Sequence, residues 1–263
     1  MENMLQQMMR ERQADALRAQ SSLPLADLQR QVSGMEGRRS LMDRLRQANA
    51  GTPCILAEIK RASPSAGVLD DDCDPALKAR EYEANGACCV SVVTEPRHFN
   101  GRDADMTAAR AAVSLPVLRK DFFSEPYQIY ESAALGADVV LLIAAMLDFN
   151  RLRDLYIVAL ALGLEVLVEV HTAEELEMVL PLANIIVGVN SRNLETMKTD
   201  LTVARELVSL IPADRLAIAE SGIRSRRDVQ DLQKLGYRGF LIGEVLMHSA
   251  QPGVLLRMLL GRH

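Results

Sequence analysis

Short runs of Val, Ile, Leu and Ala recur along the chain, beginning near Cys54, Cys88, Leu115, Ala137, Leu164, Asn184, Leu216 and Arg238. Each has the length of a strand, and its near-continuous apolar character is that of a strand covered on both faces, as in a parallel sheet. Between them lie stretches whose apolar residues repeat with helical period: Pro75 to Asn85, Ala104 to Val113, Pro126 to Leu135, Asp148 to Leu162, Ala173 to Leu182, Leu201 to Ile211 and Ser225 to Leu235. Asp74-Pro75 offers an N-cap followed by Pro at the first helical position, and Thr172 with Glu175 has the spacing of a capping box. Gly86, Gly136, Gly163 and Gly236 stand between a helix and the next strand, where a left-handed residue ends a helix. Strict β/α alternation implies a parallel sheet, and eight strands close around an interior that side chains can fill. The pattern therefore predicts an α/β chain forming a (β/α)8 TIM barrel in preference to an open doubly wound sheet.

Residues 1–50 depart from this repeat. They are polar and Arg-rich, and place Leu5, Met8, Met9, Leu17, Leu23, Leu25 and Leu28 at loosely helical spacing. One to three extra helices packed on the barrel are expected there. No Gly, Ser or Pro linker sets them apart, so residues 1–263 are read as one barrel domain, of which 1–50 form an N-terminal helical extension.

Composition narrows the functional classes. With 263 residues and 49% hydrophobic content the chain can bury a full core. A net charge of -5 argues against a general nucleic-acid binder, which needs a basic face. Cys54, Cys73, Cys88 and Cys89 show neither zinc spacing nor a C-x-x-C pair, and are read as reduced thiols of a cytoplasmic protein. The opening MENMLQQMMRERQ has no signal-like apolar run, and later runs such as Val139 to Met146 are too short to span a bilayer. Neither nucleic acid nor membrane is expected as a partner.

The candidate chemistry lies where the apolar runs end. Charged or polar residues close successive runs at Glu58 and Lys60, Lys120, Glu169, Asn190 and Arg192, Glu220, and Glu244. Residues two apart on a strand share a face, so Glu58 pairs with Lys60, Leu118 with Lys120, Leu167 with Glu169, and Gly188 with Asn190 and Arg192. Burying such charges is costly unless they are paired or serve chemistry, and the C-terminal strand ends are where barrel enzymes build their sites. A structural ion-pair network is the competing explanation for any one of these residues, but it explains the whole set poorly. Ser221-Gly222 after the seventh run and Gly243-Glu244 after the eighth fall where barrels seat phosphate on backbone N–H groups. The Glu244 carboxylate is an awkward neighbour for an anion, although its N–H can still serve. Ser63-Pro64-Ser65-Ala66-Gly67 reads as a mobile loop able to carry Ser63 to a ligand, and Phe122 can line an aromatic pocket. His98 and His171 are isolated and receive no role.

These residues carry a family resemblance. E-I-K-R-A-S-P-S, L-R-K-D-F, V-L-V-E-V, G-V-N-S-R-N-L, A-E-S-G-I and F-L-I-G-E resemble the strand-end motifs of indole-3-glycerol-phosphate synthases, in order from about Cys54 to Met247. The resemblance implies a carboxy-lyase of tryptophan biosynthesis. Its substrate would be 1-(2-carboxyphenylamino)-1-deoxyribulose 5-phosphate, a phosphorylated anthranilate derivative, and no cofactor or metal would be needed. Carried over by position, it implies Lys120 and Lys60 as cationic catalytic groups completed by Glu58, Glu169, Asn190 and Glu220. Ser63, Phe122, Leu141, Arg192 and Leu194 would line the substrate pocket, with Ser221, Gly222, Gly243 and Glu244 at the phosphate. Some members carry Ser at the position of Glu244, which leaves the backbone contact there as the one implied. Partners among other tryptophan-pathway enzymes are also open. Outside the resemblance, the residues leave room for an aldolase using Lys60 or Lys120 as a Schiff-base nucleophile, for an isomerase of phosphoribosyl amines, or for a catalytically silent binder of phosphate esters.

Overall fold

Eight parallel strands form a closed barrel in chain order: β1 (Cys54–Ile59), β2 (Cys89–Val93), β3 (Val117–Lys120), β4 (Val139–Ile143), β5 (Glu165–Val170), β6 (Ile185–Asn190), β7 (Leu216–Glu220) and β8 (Gly239–Ile242), with β8 pairing back onto β1. This computed structural model describes residues 4–49, 52–194 and 196–262, so residues 1–3 and 50 of the expected extension lie outside the described residues. Every strand begins within two residues of its expected start. The four glycines read as helix terminators all have positive φ, between 69° and 121°.

The two faces of each strand part company as their side chains alternate. Ile55, Ala57, Val90, Val92, Val140, Leu142, Val166 and Val168 face outward into the layer shared with the helices. The intervening residues, among them Leu56, Cys89, Leu118, Val139, Leu141, Leu167, Ile186, Ile218 and Leu241, form a separate cluster that fills the barrel. That filling is apolar from the bottom to mid-height. Continuing the same inward rows upward places Glu58, Lys120, Glu169, Asn190 and Glu220 in the top layer, at the C-terminal mouth.

The helices around the barrel are α4 (Pro75–Ala84), α5 (Asp103–Ala112), α6 (Pro126–Ala134), α7 (Phe149–Ala161), α8 (Ala173–Val179), α9 (Thr202–Leu207), α10 (Arg226–Lys234), α11 (Glu244–Met247) and α12 (Pro252–Leu260). Helix α9 tightens into a 3-10 turn at Val208–Leu210, so the expected helix to Ile211 is two pieces. Asp74 caps α4 by accepting from the N–H groups of Ala76 and Leu77. Thr172 caps α8 through the Glu175 N–H, but the expected reciprocal bond gives way: the Glu175 carboxylate takes the N–H of His171 instead, at 2.6 Å. The segment read as a mobile loop is closed by a hairpin pairing Ala62–Ser63 with Gly67–Val68, and Ser63 Oγ accepts from the Ala66 N–H at 3.2 Å.

Three helices precede the barrel, α1 (Met4–Ser22), α2 (Leu25–Val32) and α3 (Leu41–Gln47). Helix α3 closes the bottom, with fully buried Leu41 and Leu45 joining the interior cluster. Its N-terminus rests on Glu165 at the foot of β5, whose carboxylate accepts from the N–H groups of Leu41 and Met42 and from Ser40 Oγ. Helix α1 reaches the opposite end, where Arg12 holds Asp121 through two bonds of 2.8 and 2.7 Å beside Lys120. Among the described residues, no helix is long and apolar enough to cross a membrane.

The reading of all four cysteines as reduced thiols is corrected: Cys54 and Cys88 form a disulfide, while Cys73 and Cys89 are free. Their separation of 34 residues is one βα unit. Cys54 opens β1 and Cys88 immediately precedes the neighbouring β2, so parallel pairing brings their Cα atoms to 5.4 Å, within disulfide reach. Spacing rules for short motifs miss a pair made by strand adjacency. Loop-closure entropy for such a separation gives a contribution of about 3–4 kcal/mol. Cys88→Ser is therefore expected to lower unfolding stability by about that amount in a denaturant titration. Turnover should stay unchanged, because the bond lies at the end of the barrel opposite the charged mouth.

Candidate active site

Lys120 is the hub of the mouth. Its Nζ lies 3.4 Å from Glu220, 3.5 Å from Glu169 and 4.0 Å from Glu58, carboxylates delivered by three other strands. Lys60, one step above Glu58 on the same face of β1, pairs with it at 2.8 Å. These glutamates fit because the inward rows carry glycine beside them. A Cβ on Gly188 would lie 2.3 Å from Glu220 Oε1, and one on Gly243 would lie 2.3 Å from Glu58 Oε1. Gly243 thus makes room for the charged ring as well as forming the turn assigned to it.

The charges are strongly interdependent. Burial opposes the Lys120 ammonium, but Glu169, Glu220 and Glu58 outweigh it and hold the group protonated well above its ordinary range. Burial also opposes ionisation of Glu58 and Glu169. Lys60 and Lys120 nevertheless hold Glu58 below its usual value, and Lys120, His171 and Asn190 do the same for Glu169. For Glu220, burial wins with help from the Glu169 charge, and its carboxyl is pushed up to about 8. Glu169 and Glu220 both crowd the Lys120 ammonium, and the charge on one carboxylate opposes ionisation of the other. Of the two, the proton is favoured on Glu220, whose carboxyl is raised, and the charge on Glu169, whose carboxyl is lowered.

Beside the ring lies the turn pair. Ser221 and Gly222 have consecutive positive φ values of 63° and 79°, a tight left-handed turn at the rim. Gly243 and Glu244 follow on the adjacent strand, so both turns flank one stretch of rim. The Glu244 carboxylate points to Arg192 at 2.9 Å and to Arg224 at 3.8 Å, which removes the conflict expected between it and an anion. Arg192 also donates to Ser65 Oγ at 2.8 Å, joining the loop after β1 to this corner.

All residues singled out from the sequence line one cavity: Glu58, Lys60, Ser63, Lys120, Phe122, Leu141, Glu169, Asn190, Arg192, Leu194, Glu220, Ser221, Gly222, Gly243 and Glu244. Phe122 stands against Phe99, ring centres 6.1 Å apart, making one aromatic wall. Among the described residues, no group of three or more His, Cys, Asp or Glu side chains is arranged to hold a metal ion.

Residues of this region beyond those singled out include Phe99, Arg224 and His171. Arg224 follows Ser221 in the same turn and lines the cavity; its signal was a third cation close to the glycine turn. His171, read as isolated, lies between two carboxylates, 3.3 Å from Glu169 and 3.3 Å from Glu175. The sequence signal was present, since Glu169 stands two residues before it on a strand and Glu175 four after it across a helix start. His98 likewise has a partner, meeting Glu11 of α1 at 2.9 Å.

Comparison with known proteins adds an independent line. A family model described as indole-3-glycerol phosphate synthase matches residues 5–259. The chain is 43% identical over 260 residues to an indole-3-glycerol phosphate synthase of Acidithiobacillus ferrooxidans, covering 98% of this chain and 99% of the relative. It is 44% identical over 250 residues to the enzyme of that name from Rhodospirillum rubrum, covering 94% and 95%. Among solved structures, 3-hexulose-6-phosphate synthase from Salmonella typhimurium superposes with a TM-score of 0.65 at 12% identity, covering 79% of this chain and 97% of that one. That likeness concerns the barrel fold.

Proposed function

The chain belongs to the indole-3-glycerol phosphate synthase family, and from that premise we propose that Lys120, set among Glu58, Glu169 and Glu220, is the general acid of ring closure. The enzyme is a carboxy-lyase of tryptophan biosynthesis that yields indole-3-glycerol phosphate. Its substrate is 1-(2-carboxyphenylamino)-1-deoxyribulose 5-phosphate. Attack of the ring carbon bearing the carboxylate on the ribulosyl carbonyl builds negative charge on that oxygen. An ammonium held protonated by the Glu58 and Glu169 carboxylates can stabilise the charge and supply the proton. The same protonation disfavours the Schiff-base reading for Lys120, because a nucleophilic lysine must be neutral.

Loss of carbon dioxide then restores aromaticity. Departure of the hydroxyl and loss of a neighbouring proton complete the pyrrole ring, which asks for one acid and one base. Glu169 is the base, oriented by Asn190, and Lys60 with Glu58 assists as acid or anchors the substrate carboxylate. Phosphate bound by the amides at Ser221, Gly222, Gly243 and Glu244 fixes one end of the substrate. Ser63, Phe122, Leu141, Arg192 and Leu194 enclose the rest, so that carbon and carbonyl meet. The observation carrying this reading is the convergence of three carboxylates within 4.0 Å of one lysine.

Its electrostatics can be tested through Glu220. With its carboxyl pushed up to about 8, Glu220 is neutral below that pH and anionic above it. The added negative charge then repels a substrate carrying carboxylate and phosphate. The free-enzyme profile, kcat/KM against pH, is expected to fall on the alkaline side near pH 8. Glu220→Gln, neutral at every pH, is expected to retain turnover and lose that limb; an identical alkaline limb in the variant refutes the assignment.

A further inference from the structure

Glu169 and Glu220 share burial and Lys120, yet their carboxyl groups are shifted in opposite directions. The groups around them break this symmetry. Lys120 stands 3.5 Å from Glu169 Oε2, while His171 Nε2 stands 3.3 Å from Glu169 Oε1, so each oxygen of Glu169 faces a cationic donor. Among the described residues, Glu220 Oε1 has no hydrogen-bond partner and no counterpart of His171. On its other side, His171 Nδ1 lies 3.3 Å from Glu175 Oε2, and the same carboxylate accepts from the His171 backbone N–H at 2.6 Å. The ring hydrogen-bonds Glu175 through Nδ1 and faces Glu169 with Nε2 at ion-pair distance; only an imidazolium carries N–H on both nitrogens and a charge to meet both carboxylates.

We propose that His171 is a positioning residue for the reaction: held as a cation between Glu169 and Glu175, it fixes Glu169 as an oriented carboxylate ready to take the substrate proton. This rests on Glu169 being the base. The side chain of His171 is 12% exposed and lies behind Glu169 rather than in the cavity lining, so it acts through Glu169. The ionisable groups acting on it are Glu169 from its own strand and Glu175 from α8. The neighbouring turn Ala144–Met146 brings no ionisable side chain, the end of β6 brings Asn190, and Arg151 of α7 is engaged with Ser124 and Glu125. Burial disfavours the imidazolium, but the two glutamates prevail and raise it to about 10, so the cation persists across the working range.

The sign of the effect follows directly. Removing the cation lets the Glu169 carboxyl rise, so a larger share of enzyme is protonated there at low pH and the acid limb of kcat moves up. For His171→Gln the expected loss of kcat is about tenfold at pH 6 and under about threefold at pH 8.5, with KM within about twofold. Glu175→Gln, on the outer side of the clamp, should shift the limb the same way by less and provides the test should His171→Gln fail to fold. A merely structural role would lower kcat evenly across pH or lower only the melting midpoint. Glu169→Gln separates the two claims. If it is inactive while both clamp variants keep the wild-type acid limb, the proposal for His171 falls and the base assignment stands. If Glu169→Gln turns over normally, the base assignment falls and takes the proposal with it.

Discussion

Lys120→Gln is expected to lower turnover by about two to four orders of magnitude, the usual contribution of a positioned acid, while circular dichroism shows an intact barrel. The loss follows from position: among the described residues no other ammonium lies against Glu169 and Glu220, and Lys60, just past the end of β1, is 2.8 Å from Glu58. The fold is expected to survive because Glu58 and Glu169 can take up protons when their counter-charge is removed. The step affected is the first, so in a single turnover the variant should release neither carbon dioxide nor indole product at the wild-type rate. Wild-type turnover in folded Lys120→Gln would remove the residue from the mechanism.

Glu169→Gln is expected to cost turnover to a similar degree, about two to four orders of magnitude, but at a different stage. Ring closure and decarboxylation precede the proton loss assigned to Glu169. In a single turnover, carbon dioxide should therefore appear while the fluorescent indole product does not. The amide is close in shape to the acid and keeps an oxygen for Asn190, so a packing defect is a poor alternative explanation. Failure to release carbon dioxide would move Glu169 to the earlier step.

Much of this arrangement is legible in the sequence because two periodicities coincide. The β/α alternation locates the strand ends, and the two-residue repeat decides which side chains point inward; together they bring Glu58, Lys120, Glu169, Asn190 and Glu220 to one rim. What is not legible depends on distances between strands. Cys54 and Cys88 meet because β1 and β2 are neighbours, not because of a recognisable spacing. The room that Gly188 and Gly243 leave for Glu220 and Glu58 is equally a cross-strand fact. His171 reads as isolated in the sequence because its two carboxylate partners come from different elements, Glu169 from β5 and Glu175 from α8. The compatibility of Glu244 with a phosphate rests on its pairing with Arg192, which follows a strand two positions away in the barrel. Arg12 on Asp121 ties α1 to the loop after β3, a contact spanning 109 residues that helical periodicity cannot foresee.

The central claim is that the ammonium nearest the reacting oxygen belongs to Lys120. A crystal structure with a substrate analogue unable to cyclise tests it most directly. The account predicts the analogue's carbonyl oxygen within about 2.7–3.2 Å of Lys120 Nζ, with its phosphate on the amides of Ser221, Gly222, Gly243 and Glu244. A carbonyl oxygen bonded to Lys60 instead, or a phosphate held away from those two turns, would contradict it.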